Sequence, residues 1–497
     1  MSSSSSTPSS TTSYLWLTCP TGLEYCVEKE CIQKLTNVNV NNITREIGKV
    51  IVKPFPKQLI TNPEILWNFR GVDYILYGVV HEESNLFQNN DQSIALNSIR
   101  DVVSNVPVQE WQQAYEVWQK MPSNGKNIFD NNNNNNKQNI VINNNDDLLK
   151  KQEIKSPTYY VTKKRGGKHS FPSTTLGRTV WEGMNRTFTS NTNSLNWEGE
   201  LGSNANLEIF SHLHEATLFV GLRLHKESLW KKSNALAENR KWVSTPMRPQ
   251  ICYGLLSETL LECGDIFCDP MVGCGTIGEV AAETNQSKIF CIVGDIDQNN
   301  VEKAYDNKSL KKNTSTMIDV IQWDASNLPL RDGVIDKMCT DLPFGKRCGS
   351  KTNNYNLYPQ FLVDAARVLN HQNGRATLLS ADRRTLPRAV DLAAGQKPFF
   401  KKQRNFTINV GGLDALTLVL KKRYYNEDRG NAIKEKQRRN FKIAMAKKEK
   451  RLKKRKMEKM MMMEEASVEK KKNKKVVEEE EEEEEVKEEN STTKTSR

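Results

Sequence analysis

The chain has 497 residues and a formal net charge of +12, enough length for two to four domains with real cores. Much of its charge is concentrated in one C-terminal tract, and no run approaches the ~20 apolar residues a membrane helix needs, so no membrane partner is expected. Its ten cysteines include no Cys-x-x-Cys pair. The closest spacings, Cys26/Cys31 and Cys263/Cys268, fit no zinc pattern, which argues for a reducing compartment and against a protein metal site.

Residues 1–13, "MSSSSSTPSSTTS", lack the basic start and apolar core of a secretory signal and read as a disordered leader. From 14 to 120, short apolar runs alternate with helical patterns. "SYLWLTCP" reads as a strand, "GLEYCVEKECIQKL" as an amphipathic helix, "GKVIVKPF" as a returning strand, "NPEILWNFRGVDYIL" as a second helix and "YGVVHE" as a further strand. A β-α-β-β-α-β order suits a small ferredoxin-like α+β unit. Residues 121–157 hold "NNNNNNKQNIVINNNDD", a tract too polar to order itself, read as an insertion.

Residues 158–230 form a second α+β module: "TYYVTKKRGGKHSF", then the helix "STTLGRTVWEGMNRTF", then strands "ANLEIFSHLHE" and "ATLFVGLRLHKES". Its first segment carries a basic loop, Lys163, Lys164, Arg165 and Lys168 around a Gly-Gly pair, which fits either phosphate binding or a solvated turn. His212 and His214 alternate on one strand face with His225 nearby, but no cysteine or carboxylate completes a metal set.

From 245 to 423 the pattern becomes βαβα, which implies a doubly wound, mostly parallel sheet. Strands "DIFCDP", "KIFCIVGDID", "IDVIQWDA", "VIDKMCTDLPF" and "GRATLLSAD" alternate with helices "TIGEVAAETN", "NNVEKAYDNKSL" and "YPQFLVDAARVL". "KKQRNFTINVGGLDALTLVLKKR" closes it as two strands around a Gly-Gly turn, an antiparallel edge pair. Residues 424–497 run from "KKEKRLKKRKMEKMMMM" to a block of glutamates. They read as a solvated helix or disordered tail whose basic half suits nucleic acid or a nuclear address.

Two motifs carry chemistry. "CDPMVGCGTIGEV" sets Asp269 at a strand end before Gly273, Gly275 and a helix N-terminus. The glycine pattern alone fits a dinucleotide, but a carboxylate at the mouth of the loop would repel a pyrophosphate. An ammonium-bearing ligand with a ribose and an adenine fits better, and S-adenosylmethionine has all three. The helix N-terminus suits its carboxylate and Asp269 its amine. Asp295, after the next strand, suits the ribose, and Asp324, after the third, suits the adenine amino group. Any one of these aspartates alone would read as a helix cap or turn residue.

The second motif is "DLPF", Asp341, Leu342, Pro343 and Phe344, at the end of the fourth strand. An exocyclic amine is a poor nucleophile because its lone pair is delocalised into the base. The Asp341 carboxylate and the Leu342 carbonyl are acceptors for its N–H groups, Pro343 stiffens the turn, and Phe344 offers a stacking face for a flipped base. Catalysis would then rest on positioning and electrostatics. Lys346 and Arg347 follow as candidate phosphate clamps. A tight turn after a strand is the alternative reading of the quartet alone.

"DPMVGCGT", "GDID" and "TDLPFGKR" resemble the motifs of Rossmann-fold methyltransferases that modify exocyclic amines; Leu342 and Phe344 depart from that group's usual Pro and its commonest aromatic. The longer string "DLPFGKRCGSKTNNYNLYP", with "NVGGLDALTLVLKKR", "PTGLEYCVEKE", "RGGKHSF" and "RLHKESLWKKS", resembles the THUMP-domain tRNA guanine-N2-methyltransferases. The resemblance implies an α/β fold: a Rossmann-like methyltransferase sheet with an antiparallel C-terminal edge, preceded by ferredoxin-like and THUMP modules. It implies S-adenosylmethionine-dependent formation of N2-methylguanosine in tRNA near position 6 of the acceptor stem, with the neighbouring position 7 a second candidate. It also implies cytoplasmic localisation, with a nuclear fraction open from the tail, and a small zinc-binding activator subunit. Carried over by position, the cofactor contacts fall on Asp269, Gly273, Gly275, Thr276, Asp295 and Asp324, and the catalytic motif on Asp341 to Phe344. "TPMRP" matches the start of the catalytic domain, with Arg248 near cofactor or RNA. Another RNA, such as a spliceosomal one, or a non-catalytic RNA-binding role remain alternatives.

Overall fold

The computed structural model describes residues 13–122, 157–189, 197–200, 205–229, 239–284, 288–309, 317–345, 351–392 and 398–492. The leader, nearly all of the Asn-rich tract, and Lys346 and Arg347 lie outside them. Two sheets organise the chain.

The first sheet has eight strands. Strands β1 (Tyr14–Thr18), β2 (Ile43–Glu46), β3 (Lys49–Val52) and β4 (Tyr74–Glu83) pair antiparallel in the order β2-β3-β1-β4, with helix α1 (Glu24–Lys34) between β1 and β2. This is the expected ferredoxin-like order, with one change. The second helix is replaced by a four-residue helix α2 (Gln58–Thr61) and a 3₁₀ turn over Pro63–Asn68, and residues from Tyr74 on are already strand. Glu30 holds the chain there: its carboxylate accepts the N–H groups of Arg70 (2.7 Å) and Gly71 (3.0 Å), which a continuing helix would have kept for its own carbonyls.

The segments expected as successive modules share this one sheet. β4 is ten residues long and its free edge takes β8 (Thr217–Arg223) antiparallel, from Leu76 opposite Arg223 to Glu83 opposite Thr217. β7 (Leu207–His214), β5 (Thr158–Gly166) and β6 (Glu198–Gly199) complete it. An unpaired strand edge is a liability that pairing removes. Helices α3 (Gln92–Ser104) and α4 (Val108–Lys120) had no place in the sequence reading. α3 packs on α5 (Ser173–Thr189), where Arg100 pairs with Glu182 at 2.7 Å and the Thr187 hydroxyl donates to the Ser104 carbonyl at 3.1 Å.

The second sheet has seven strands: β9 (Ile266–Asp269), β10 (Phe290–Asp295), β11 (Met317–Gln322), β12 (Lys337–Asp341), β13 (Arg375–Ser380), β14 (Phe400–Val410) and β15 (Leu413–Lys422). Their order is β11-β10-β9-β12-β13-β15-β14, parallel from β11 to β13 and antiparallel at β15 and β14. Every strand read from the sequence is present, and Gly411 and Gly412 make the hairpin turn with φ of +58° and +87°, the left-handed pair a two-residue hairpin demands. Helices α6 (Pro249–Thr259), α7 (Thr276–Thr284), α8 (Gln298–Ser309), α9 (Lys351–Val368) and α10 (Thr385–Leu392) surround the sheet, and α11 (Glu427–Thr492) follows it. No helix among the described residues is long and apolar enough to cross a membrane.

The two sheets meet through the start of α1. Leu23 is fully buried against Gly254, where its side chain leaves no room for a Cβ. The Asn409 N–H donates to the Thr21 carbonyl at 3.0 Å, and Arg404 lies 4.3 Å over Tyr25 while pairing with Glu258 at 2.6 Å. Arg248, at the N-cap of α6, faces Asp73 at 3.6 Å, so it serves this junction.

Candidate active site

In an open parallel sheet, ligands sit beyond the carboxyl ends of the strands where the strand order reverses. Here that point lies between β10, β9 and β12. β9 and β12 run parallel with Met338 opposite Cys268, so Asp269 and Asp341 leave the same edge side by side.

The glycine loop follows Asp269. Gly275 has φ +93°, and a Cβ there would stand 3.1 Å from a Glu279 oxygen, so a side chain would be both strained and crowded. The loop is held from outside by a buried ion pair: Arg240 donates to both Glu279 oxygens (2.8 and 2.6 Å), to the Cys274 carbonyl (2.9 Å) and to the Thr276 hydroxyl (3.1 Å). Asn307 donates to the same carbonyl at 2.8 Å. Thr276, at the start of α7, is thus engaged by the scaffold. From inside, Asp295 accepts the N–H groups of Gly273 (3.1 Å) and Asp297 (3.0 Å), tying the loop to the end of β10. Asp324 is exposed and accepts the Ser326 N–H at 2.8 Å in the turn after β11.

Asp269 and Asp341 differ from the other acids. Asp269 is fully buried, and its Oδ2 and the buried Oδ1 of Asp341 have no hydrogen-bond partner among the described residues. Burial pushes Asp269 up to about 7, with the Asp295 charge adding to it. Burial, and then the charge of Asp269, push Asp341 well above the usual carboxylate range. A fully buried carboxyl and a half-buried one, each with a buried open oxygen and neither paired with a cation among the described residues, fit a positively charged ligand with N–H donors. The positive-φ glycines and the α7 N-terminus beside them fit its carboxylate and polar groups, so the residues present suit S-adenosylmethionine.

The quartet turn is clamped by α9. The Pro343 carbonyl accepts from Asn354 Nδ2 (2.7 Å) and from the Tyr358 hydroxyl (2.6 Å). Tyr358 also shares a 2.7 Å hydrogen bond with Ser380. Asn354 is fully buried and its Oδ1 has no partner. Leu342 packs into the core and its N–H donates to the Leu379 carbonyl at 2.9 Å. Phe344 is partly buried. Asn354, Tyr358 and Arg240 were absent from the sequence reading; the Asn-x-x-x-Tyr spacing after the quartet was the available signal for the first two.

The basic group is not brought to the crevice. Lys163, Lys164 and Arg165 belong to strand β5 of the first sheet, so the expected loop is confined to the turn that contains Lys168. β5 lies three strands from β4 and far from the α1 junction, and Arg165 donates to the carbonyls of His169 and Phe171. His225 is buried and accepts the Ile75 N–H through Nε2 at 3.0 Å, a structural role.

Residues 239–410 match the family model of the RMKL-like methyltransferase domain. This part of the chain has a Rossmann-like sheet and is similar to methyltransferase domains of that family. The kinship expected from the motifs is found among curated proteins. The chain is 34% identical over 273 residues to the tRNA (guanine(6)-N(2))-methyltransferase THUMP3 of Homo sapiens, covering 53% of this chain and 50% of that protein. It is 26% identical over 222 residues to the U6 snRNA (guanine-N(2))-methyltransferase THUMPD2 of Bos taurus, covering 44% and 41%. The chain therefore spans about half the length of the first of these relatives, and less of the second. Among solved structures, TrmN from Thermus thermophilus superposes with a TM-score of 0.57 over 82% of this chain and 99% of that one, at 18% identity. That likeness extends the shared fold over both sheets.

Proposed function

We propose that this chain methylates the exocyclic N2 of a guanosine in tRNA, in the acceptor-stem region near position 6. The observation that carries the reading is the pair of unpartnered buried carboxyl oxygens, on Asp269 and Asp341, at adjacent strand ends. S-adenosylmethionine supplies an electrophilic methyl group on a sulfonium. Asp269 balances its ammonium group, and Asp295 and Asp324 serve its ribose and adenine. Asp341 would accept a hydrogen bond from the guanine amino group and orient its lone pair at the methyl, while Phe344 stacks on the everted base. The N2–C bond would form as the S–C bond breaks, the neutral thioether would leave, and the surplus N2 proton would pass to solvent. Asn354 and Tyr358 fix the turn that carries both.

In this reading residues 14–120 and 158–230 grip the tRNA, with the second segment as the THUMP module and Lys163, Lys164 and Lys168 on phosphates. Residues 245–423 reach the target guanosine, Lys346 and Arg347 clamp its neighbours, and a small zinc-binding activator binds the methyltransferase domain. The identity to a human tRNA guanine(6) enzyme supports tRNA over U6 RNA, whose enzymes are more distant.

The test is transfer from labelled S-adenosylmethionine to tRNA and to U6 RNA by the full chain, with and without such an activator. Nucleoside mass spectrometry and position mapping read the product. N2-methylguanosine at position 6 of tRNA is expected. Preferential labelling of U6 RNA would move the substrate, and failure to bind S-adenosylmethionine in calorimetry would leave an RNA-binding protein on a methyltransferase scaffold.

A further inference from the structure

Helix α11 begins as part of the methyltransferase domain and ends as something else. Its first turns dock on α9. Gly430 stands against Val363, Ile433 packs on the core, Gln437 is buried, Lys434 pairs with Asp364 at 2.7 Å, and Arg438 donates to Gln360 at 3.2 Å. These positions recur at three- and four-residue spacings, one stripe of a helix. The contacts cease at Phe441, beyond which every described side chain is exposed.

The pairing also fixes direction. Residue 434 meets 364 and residue 438 meets 360, so α11 runs antiparallel to α9. It therefore heads toward the N-terminal end of α9, where Asn354 and Tyr358 hold the quartet. At ~1.5 Å per residue, the helix draws level with the start of α9 near Lys447 and then extends past it. The stretch that emerges is the basic one: Lys447, Lys448, Lys450, Arg451, Lys453, Lys454, Arg455, Lys456 and Lys459 stand among only two acids, Glu449 and Glu458. Each acid is within 4 Å of one lysine, Lys453 and Lys454 respectively. Seven cations remain outside those two pairs.

We propose that residues 447–459 form a rigid basic arm which lies along the phosphate backbone of the RNA substrate beside the catalytic crevice. The inference deepens the function proposed above and rests on its RNA substrate. A protein lying on the arm would want apolar anchors, and between Lys447 and Lys459 only Leu452 and Met457 are large and apolar; the exposed methionines 460–463 lie beyond it on the same helix. A polyanion needs only the charge. The spread of cations around the helix also suits a backbone that curves past it.

The experiment compares the full chain with a variant in which the nine basic residues are changed to Gln, which keeps helix propensity. tRNA affinity is measured from 50 to 300 mM salt. Neutralising ~4 phosphates would make the parent's plot of log K against log salt steeper than the variant's by ~3 to 4, and the parent should bind at least ~10-fold tighter at the lowest salt. Equal slopes and affinities would overturn the arm. Circular dichroism and thermal melting establish that the variant folds. A second measurement does not depend on it: a photo-crosslinker at Leu452 in the otherwise native chain should capture tRNA nucleotides, and capture of protein alone in a cell extract would overturn the proposal. Should the parent fail to methylate tRNA while the variant still loses salt-dependent binding, the enzymatic reading falls and the arm stands.

Discussion

The glycine loop after β9 has two sides, and both bury charge. Outside it, Arg240 and Glu279 are 1% and 2% exposed and pair with each other, and both terminal nitrogens of Arg240 are engaged while its Nε is not. Inside it, Asp269 is as deeply buried, yet among the described residues its Oδ2 has no hydrogen-bond partner and no cation pairs with it. A buried charge with its partner in place is scaffold; a buried charge without one marks where a ligand completes the structure. The largest expected effect breaks the scaffold side. Arg240→Met leaves Glu279 without its cation and should cost ~3–5 kcal/mol of stability, read by denaturant or thermal melting. The double change with Glu279→Met should recover most of that. A single variant that melts with the parent would show that the two sides do not differ as described.

The ligand side should respond in the opposite way. Asp341→Ala removes both acceptor oxygens from the reacting amine, and methyl transfer should fall ~10²–10³-fold, while calorimetry shows cofactor affinity changed only a few-fold. Matching losses in binding and turnover would move Asp341 to the cofactor.

How far this contrast was legible in the sequence differs between its parts. The central strands of the second sheet, such as "IFCD" and "FCIVGD", are short and mostly buried runs, and aspartates at their ends follow once the strands are found. Arg240 gave no signal, because a charged residue thirty-odd positions before the loop has no local pattern that announces burial. The clamp was hidden by a proline. Pro359 reads as the first turn of a helix, which placed the start of α9 at Tyr358; it lies inside a helix that begins at Lys351. The two lost turns carried Asn354. In the first sheet, β4 and β8 pair across the long insertion, and periodicity within either segment cannot reveal a partner so distant.

Next in size is a pH effect that sharpens the contrast. Burial raises Asp269 to about 7 from the usual carboxylate range. The sign follows from linkage: the folded chain holds this proton more tightly than the unfolded one, so its stabilising contribution is full below the ordinary carboxylate pKa and is lost as pH rises through about 7. Asp269→Asn removes the charge and should melt several degrees above the parent at pH 8, with the gap narrowing as pH falls below about 7 and closing only below the ordinary carboxylate pKa. The same variant should lose cofactor binding. A cationic ligand favours the charged carboxylate, so in the parent the cofactor should bind more tightly as pH rises from 6 to 8 and should release protons on binding. Flat affinity and no proton release in calorimetry carried out in two buffers would place the ligand's positive group elsewhere.

The smallest effect tests whether the clamp on α9 belongs to the ligand side or to the scaffold. Tyr358→Phe keeps the ring in its buried site and deletes the hydroxyl that meets Pro343 and Ser380. The Pro343 carbonyl keeps Asn354 as a donor, so it is not left unsatisfied, and the stability cost should stay near ~1 kcal/mol. A turn held by one donor instead of two has more freedom, and that freedom is expressed where the quartet must match the reacting amine. Methyl transfer should therefore fall about tenfold, more than the loss of fold stability would produce in an assay run well below melting, while cofactor affinity holds. A purely structural hydroxyl would leave kcat unchanged at that temperature. If kcat stays level while the melting temperature drops, Tyr358 joins Arg240 on the scaffold side and the clamp acts on folding alone.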